Sequence, residues 1–215
     1  MDELTSEMHE LFGTEVIVEP CDITDPQQVE DLKQHLIERL STVDFAFLNA
    51  GVNVPSDDQD ATEEVWTKTI EINLNGTYRT ARIAHEIMRE HGHCGSLVFT
   101  ASLSGHNANY MMGGPTPVNA YGATKAAIME HSRYLAAALA RYGIRSNAIS
   151  PGYVWSGIFN GRIDMAGHDA MLETVPMHRF GTNDEIAGAV LFLTSDAASY
   201  VTGTDLRVDG GYRVF

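Results

Sequence analysis

The chain has 215 residues, of which 44% are hydrophobic and 20% are charged, and its formal net charge at pH 7 is −15. This length and composition are ordinary for one globular domain with a sizeable core. Because the negative surface would repel phosphates, neither nucleic acid nor an anionic membrane is an expected partner.

The first part of the chain predicts two helices on either side of a short strand. Residues 1–12 have the pattern of a polar helix that stops at Gly13, and a short strand is expected around 16–19. Asp25 followed by Pro26 is a helix N-cap with proline at the first helical position. The helix that follows has one apolar face, formed by Val29, Leu32, Leu36 and Leu40.

Strands and helices alternate along the rest of the chain. Phe45–Leu48 is a compact apolar run, typical of a strand buried on both faces. Asp60 with Glu63 predicts the capped start of a long helical stretch that ends near His91. The remaining predicted elements are strands at 96–100, 146–149 and 205–208 and helices at 120–142 and 183–194. This alternation predicts an α/β fold with a parallel sheet covered by helices on both faces.

Tyr121 and Lys125 form the strongest chemical pattern. A four-residue step on a helix places both side chains on one face. Free tyrosine has a pKa near 10, and an ammonium beside the phenol would lower that pKa by favouring phenolate. The pair therefore predicts an acid/base that protonates a carbonyl oxygen or deprotonates an alcohol. The alternative is an ordinary pair on a helix surface.

Polar residues and a glycine also follow two of the predicted strands. Ser102 follows the strand at 96–100, and Asn49-Ala-Gly51 closes the strand at 45–48. Ligands of open α/β sheets bind outside the carboxyl ends of the strands. Ser102 can hold a substrate oxygen there, while Gly51 permits close backbone approach and Asn49 fixes neighbouring main chain. A serine serving only turn chemistry is the alternative for Ser102.

Taken together, these motifs resemble the short-chain dehydrogenase/reductase family over essentially the whole chain. The motifs are Asp22 in Cys-Asp-Ile-Thr-Asp25, Asn49-Ala-Gly51, Asn73 in Ile-Asn-Leu-Asn-Gly76, Ser102, Tyr121 with Lys125, Pro151-Gly152 and Asp209-Gly-Gly211. The resemblance implies a doubly wound, Rossmann-like sheet and hydride transfer between a nicotinamide cofactor and an alcohol or ketone. The cofactor is NADP or NAD, with a slight preference for NADP. Phe99-Thr-Ala-Ser102 and the asparagine-containing loop are most similar to polyol and ketose reductases. Sterol, polyketide or other secondary-metabolite ketones are the alternative substrates.

The same resemblance implies the catalytic roles. Ser102 would orient the substrate oxygen, and Tyr121 would donate or accept the proton. Asn73 would hold a water that relays protons to Lys125. Lys125 would also bind the hydroxyls of the nicotinamide ribose.

The cofactor-binding residues follow from the resemblance in the same way. They are Asp22, Ile23, Asn49, Gly51, Tyr121, Lys125, Val154 and Ser156. Asp22 would bind the adenine amine with Ile23 near the ring, and Asn49 would support the sheet beside the ribose. Val154 and Ser156 would take the carboxamide, although the family usually has threonine where Ser156 stands.

The sequence departs from the family pattern in two places. The step from Ser102 to Tyr121 is 19 residues, longer than is usual, and the extra length falls at 106–117. Met111 and Met112 in that loop predict either an adaptable apolar wall or a disordered tip. No glycine-rich turn precedes Asp22, so the sheet is expected to lack that turn and its first two strands. Either the reading frame starts upstream, or this is a shortened form that binds cofactor poorly.

The chain is therefore interpreted as a single domain over residues 1–215 that is incomplete at its N-terminus. In the strand order 3-2-1-4-5-6, the two missing strands would leave a gap of roughly 14 Å between 16–19 and 45–48. We expect residues 16–19 to be unpaired and the inner edge of 45–48 to be exposed, which predicts an unstable product.

A carbonyl reductase or alcohol dehydrogenase acting on a small alcohol or ketone is the main hypothesis. The alternative is a catalytically silent member that serves as an oligomer partner. An epimerase or dehydratase is disfavoured because only 90 residues follow Lys125. We expect a homodimer or homotetramer, because the helix at 126–139 has more apolar and small surface than one sheet face covers.

Location and metal content are also predicted from simple patterns. No apolar run approaches the ~18 residues that span a bilayer, and no signal segment opens the chain, so the expected location is the cytoplasm. Cys21 and Cys94 form no CxxC pair, and the nine histidines lack HExxH spacing, so no metal is expected.

Overall fold

A computed structural model describes residues 2–40, 42–53, 62–92, 94–108, 120–155 and 165–214. Within these ranges, one sheet of four parallel strands has the order β1-β2-β3-β4. The strands are β1 (Phe45–Leu48), β2 (Gly95–Thr100), β3 (Ile144–Pro151) and β4 (Asp205–Val208). The predicted α/β architecture with a parallel sheet is confirmed.

Seven α-helices accompany the sheet in the described residues. They are α1 (Asp2–Phe12), α2 (Pro26–Arg39), α3 (Glu63–Ile70), α4 (Thr77–Glu90), α5 (Ala120–Leu139), α6 (Met165–Glu173) and α7 (Asn183–Thr194). A π-helix, Glu71–Gly76, joins α3 to α4. None of the helices in these ranges is both long and apolar enough to cross a membrane.

The sheet is covered on both faces because successive residues of a strand point to opposite sides. Leu97 and Phe99 of β2 are buried in a cluster with residues of α4 and α5. Val98, between them, is buried in a second cluster with Val190 and Leu193 of α7. This alternation gives the domain three layers, with β2 and β3 at the centre.

Several predicted boundaries are confirmed by local chemistry. Asp25 caps α2 by accepting from the backbone amides of Gln27 and Gln28. Helix α5 continues as a short 3-10 turn to Tyr142, and Gly143 ends it in the left-handed conformation.

Other expectations need correction. The predicted strand at 16–19 does not form, because residues 13–21 contain no strand. This agrees with the separate expectation that the segment has no partner strand. The cap of α3 is Thr62, whose hydroxyl accepts from the Val65 amide; Asp60 lies outside the described residues. The helix predicted to run unbroken to His91 is interrupted by the π-helix, and α6 was not predicted.

Strand β1 is not buried on both faces, as its apolar sequence predicted. Phe45 is 54% exposed and Phe47 is 39% exposed. Ala46 and Leu48 pack against the cluster of α4 and α5 on one face of the strand. The two rings lie on the opposite face, which that cluster does not cover.

Candidate active site

A cleft opens at the carboxyl ends of the strands, where ligands of parallel sheets bind. Its cavity is about 690 Å³. The predicted site residues that line it are Asn49, Gly51, Ser102, Tyr121, Lys125 and Val154. Residues from four separate stretches of the chain therefore meet in one place.

Ser102 begins the turn that follows β2. It is the N-cap of a short 3-10 turn, Leu103–Gly105, and its Oγ accepts from the Ser104 backbone amide at 3.2 Å. The Ser102 hydroxyl also lies close enough to the Tyr121 hydroxyl to lower the pKa of Tyr121. The two hydroxyls thus converge, so that one substrate oxygen can reach both.

The electrostatics of Tyr121 differ from the sequence expectation. Burial raises the pKa of Tyr121, and the nearby Ser102 hydroxyl lowers it by a smaller amount. The free-energy cost of removing the phenolate from water exceeds the stabilisation that the neighbouring hydroxyl gives it. Tyr121 is therefore a neutral phenol near pH 7, a proton donor rather than a phenolate.

Lys125 lies beside Tyr121, as the four-residue spacing predicted. Its Nζ is 5.5 Å from the centre of the Tyr121 ring and donates to the carbonyl of Thr100 at 2.6 Å. The residue is only 3% exposed, and burial lowers the pKa of Lys125 to about 8. Near pH 7 Lys125 is therefore still mostly protonated, but it loses its proton at a lower pH than an exposed lysine does.

Asn73 sits in the π-helix and is fully buried. Its Oδ1 accepts from the Val52 amide, and its Nδ2 donates to the Val52 carbonyl, both at 2.8 Å. Nδ2 also approaches the Thr124 hydroxyl at 3.3 Å. The Asn73 side chain therefore clamps the loop after β1 onto α5. Single-turn π-helices occur frequently at functional sites.

Asn49 and Gly51 form the floor between these groups. Asn49 Oδ1 accepts from the Thr100 hydroxyl at 2.9 Å, which joins the ends of β1 and β2. A Cβ atom at Gly51 would lie 3.3 Å from Asn73 Oδ1 and 3.5 Å from Lys125 Nζ. Glycine is needed here to keep this part of the cleft open.

The sequence did not reveal Thr100 as part of this site. Its carbonyl holds Lys125 and its hydroxyl holds Asn49, so it links the buried cation to the neighbouring strand. Every residue has a backbone carbonyl, so the identity of the residue could not indicate this role.

Asp22 and Ile23 lie in a second cavity of about 990 Å³ that shares Gly51 and Val52 with the first. Asp22 Oδ1 accepts from the Thr24 amide and hydroxyl, at 2.9 and 2.8 Å, and these bonds lower the pKa of Asp22. Ile23 packs on Gly76, where a Cβ would lie 2.7 Å from its side chain. The two predicted adenine contacts are therefore at the far end of one groove.

Two predicted contacts near the carboxamide have different outcomes. Val154 lines the first cavity and pairs with Gly181 in an isolated bridge. Ser156 lies outside the described residues, and so do Met111 and Met112 of the long loop.

The groove fits a nicotinamide dinucleotide at the positions that this chain supplies. The buried Lys125 ammonium and the Gly51 opening suit the ribose next to the reacting ring. Asp22 supplies a carboxylate acceptor at the opposite end. The donor set and the open floor thus agree with the implied cofactor.

Fold and site together define a class of protein: an α/β oxidoreductase with a serine, tyrosine and lysine at the carboxyl edge of a parallel sheet. A family model described as enoyl-(acyl carrier protein) reductase matches residues 1–213. The chain belongs to the short-chain dehydrogenase/reductase family.

Two curated relatives show how similar its members are to this chain. A sorbose reductase of Schizosaccharomyces pombe is 38% identical over 98% of this chain and 80% of that protein. A probable NADP-dependent mannitol dehydrogenase of Yarrowia lipolytica is 36% identical over 98% of this chain and 74% of that protein.

Solved structures agree in fold. The NADPH-dependent 3-quinuclidinone reductase of Rhodotorula rubra superposes with a TM-score of 0.88 at 33% identity, covering 100% of this chain and 78% of that one. A short-chain dehydrogenase/reductase of Mycobacterium marinum has a TM-score of 0.88 at 31% identity, covering 99% and 81%.

Proposed function

We propose that this enzyme reduces a ketone to the corresponding alcohol with NADPH, and that Tyr121 donates the proton. The observation that carries the proposal is that the Ser102 and Tyr121 hydroxyls lie close together in the lining of one cleft. A carbonyl oxygen placed there receives two hydrogen bonds, which stabilises the negative charge that develops on it.

The raised pKa of Tyr121 favours the reductive direction. A phenol that keeps its proton near pH 7 can give that proton to an oxygen that becomes an alkoxide. Ser102 holds the oxygen in position, and Lys125 lies next to the ring, where its ammonium would offset the phenolate left behind. The dinucleotide, when bound, supplies the hydride.

Asn73 would contribute through its place in the π-helix. Its side chain is committed to Val52, so we assign the predicted water to the local main chain of the π-helix rather than to the Asn73 amide. That water would supply protons to Lys125.

The cofactor preference and the substrate class follow from relatives. Mannitol dehydrogenases of Yarrowia lipolytica and Alternaria alternata are named NADP-dependent, and the Schizosaccharomyces pombe relative is named a sorbose reductase. These names support NADP(H) and a ketose or polyol for this chain. They agree with the similarity of Phe99-Thr-Ala-Ser102 to polyol and ketose reductases.

The test is NADPH-dependent reduction of sorbose and fructose by the wild type and by Tyr121→Phe. The variant keeps the ring but loses the proton, so kcat should fall by roughly 10²- to 10⁴-fold while NADPH binding is retained. Tyr134→Phe is the matched control, because Tyr134 is on the same helix but 71% exposed.

Two outcomes would count against the proposal. Retention of most of the rate by Tyr121→Phe would exclude Tyr121 as the acid. A wild type that binds no NADPH in a fluorescence titration would favour the alternative role as a silent oligomer partner. Assembly into a homodimer or homotetramer stays a prediction, which light scattering at micromolar concentration tests.

A further inference from the structure

A buried polar triangle lies outside the catalytic set and joins three elements. His106 Nε2 is 2.7 Å from Asp205 Oδ2 and 3.2 Å from Ser150 Oγ. Ser150 Oγ donates to the other carboxylate oxygen, Asp205 Oδ1, at 2.6 Å. The Asp205 side chain is 8% exposed, so its charge depends on these two neighbours for hydrogen bonds.

The triangle has the residue types of a serine hydrolase site but not its geometry. Ser150 gives its proton to Asp205 rather than to His106, and one imidazole nitrogen faces both partners. An ionised carboxylate only accepts hydrogen bonds, so Nε2 of His106 carries the proton. Ser150 is also fully buried. The arrangement therefore holds structure together and contains no nucleophile.

What the triangle holds is the turn that presents Ser102. Ser102 is the N-cap of that turn and His106 is its C-cap, with the His106 amide donating to the Leu103 carbonyl at 3.0 Å. The opposite side of the turn rests on α5, where a Cβ at Gly105 would lie 2.8 Å from the Ala126 amide nitrogen. The turn thus packs against the helix that carries Tyr121 on one side and is hydrogen-bonded to strands β3 and β4 on the other.

The main chain of His106 is fixed as well. Its carbonyl accepts from Arg213 Nη1 at 3.3 Å, and the Arg213 amide donates to Asp209 Oδ2 at 3.3 Å. The Asp209-Gly-Gly211 motif therefore brings the C-terminal segment onto the same turn. In the part of the chain that the structure describes, the His106 imidazole connects the turn to the sheet through the buried carboxylate of Asp205.

We propose that His106 is a positioning residue for the reduction: its hydrogen bond to buried Asp205 fixes the Ser102 turn at the distance from Tyr121 that the proton transfer requires. This inference rests on the proposed roles of Ser102 and Tyr121. Small displacements of a reacting group lower rates strongly, and an error of 1 Å can cost about a hundredfold.

The experiment compares His106→Leu with His106→Gln in the full chain. Leucine removes the donor, whereas the glutamine amide can place an N–H near the former Nε2. We expect kcat for ketose reduction to fall by roughly tenfold to a hundredfold in His106→Leu with the KM for NADPH unchanged. His106→Gln should recover most of kcat. His35→Leu is the control, because His35 faces Glu19 at 3.6 Å far from the cleft.

Amide hydrogen exchange tests the positioning role without any substrate. Exchange of the amides at 105–107 should accelerate in His106→Leu and stay near the wild-type rate in His106→Gln. Equal kcat and equal exchange in all three proteins would overturn the proposal, as would a loss of activity that His106→Gln does not rescue. A wild type without reductase activity would instead contradict the proposed function, and the exchange comparison would still decide the role of His106.

Discussion

The groove has a catalytic end, lined by Ser102, Tyr121 and Lys125, and an adenine end, lined by Asp22 and Ile23. The two ends differ in how firmly they are packed. At the catalytic end, the central strands β2 and β3 pack between helices, and Phe99 and Ile144 are fully buried. At the adenine end, residues 13–21 form no regular structure. Strand β1, which is an edge strand of the described sheet, leaves Phe45 and Phe47 partly exposed, and Phe47 lines the catalytic cavity. The positions of Ser102, Tyr121 and Lys125 are thus fixed by the core of the domain. Asp22 depends mainly on its own turn, and Ile23 is held by Gly76 and by Arg79, whose Nη1 donates to the Ile23 carbonyl at 3.3 Å.

The difference separates chemistry from binding. Ser102 and Lys125 each have hydrogen bonds to backbone in or next to β2, which is the best-packed strand of the sheet. Asp22 is held mainly by its own turn, through Thr24, and Ile23 by its contact with Gly76. Changes at the first end should therefore alter stability and catalysis, and changes at the second end should alter cofactor affinity alone.

Removing a phenylalanine ring from the central strand β2 and from the edge strand β1 is the strongest way to break this comparison. Phe99→Ala opens a cavity in the core and should lower the free energy of unfolding by about 3–5 kcal/mol. Phe47→Ala removes a ring that is 39% exposed, so its cost should be near 1 kcal/mol. Urea unfolding of the two variants measures the contrast. Equal losses would mean that β1 is as well packed as β2.

The parts of the fold that were predictable have short-range causes. Helix α7 was expected at 183–194 and is Asn183–Thr194, because its apolar run starts at a capping box between Thr182 and Glu185. The candidate catalytic residues could be predicted to lie together because strand ends converge at one edge of a parallel sheet. These patterns lie within a few residues of the feature they predict.

The parts that were not predictable depend on distant neighbours. An apolar run such as Phe45–Leu48 does not reveal how much of it packs, since burial depends on what lies beside the strand. The π-helix has no hydrophobic period of its own. Asn73 was predicted to hold a water, whereas its side chain binds the backbone of Val52. The pKa of Tyr121 was expected to fall because of Lys125, but burial raises it, and the opposing contribution comes from Ser102.

A second prediction concerns the charge buried at the catalytic end. The pKa of Lys125 is about 8 in the folded protein and has an ordinary value of 10.5 when exposed. Between these values the unfolded chain binds more protons, so this group makes the folded state more stable as pH rises through the window. Below pH 8 Lys125 is protonated in both states, so the folded state bears the full free-energy cost of burying the ammonium.

Lys125→Met removes that dependence while keeping the length of the side chain. The stability of the variant relative to wild type should therefore be greatest at pH 7 and should decrease by about 2–3 kcal/mol by pH 10. Urea unfolding at pH 7, 8, 9 and 10 measures the change, and tyrosines that titrate in this range are common to both proteins. A difference independent of pH would mean that Lys125 keeps its ordinary pKa despite its burial.

The smallest expected effect lies at the adenine end and affects binding alone. Asp22→Ala removes the acceptor that we propose for the adenine amine, and the loss of one such hydrogen bond should raise the Kd for NADPH roughly fivefold. Asp22→Asn keeps an acceptor oxygen for both adenine and Thr24, so its Kd should change less. Asp31→Ala is the control, since it removes the same charge from an exposed position on α2. Fluorescence titration with NADPH gives Kd, and kcat at saturating NADPH should be equal in all four proteins. A fall in kcat for Asp22→Ala would show that the two ends of the groove are coupled, and the separation of chemistry from binding would then be wrong.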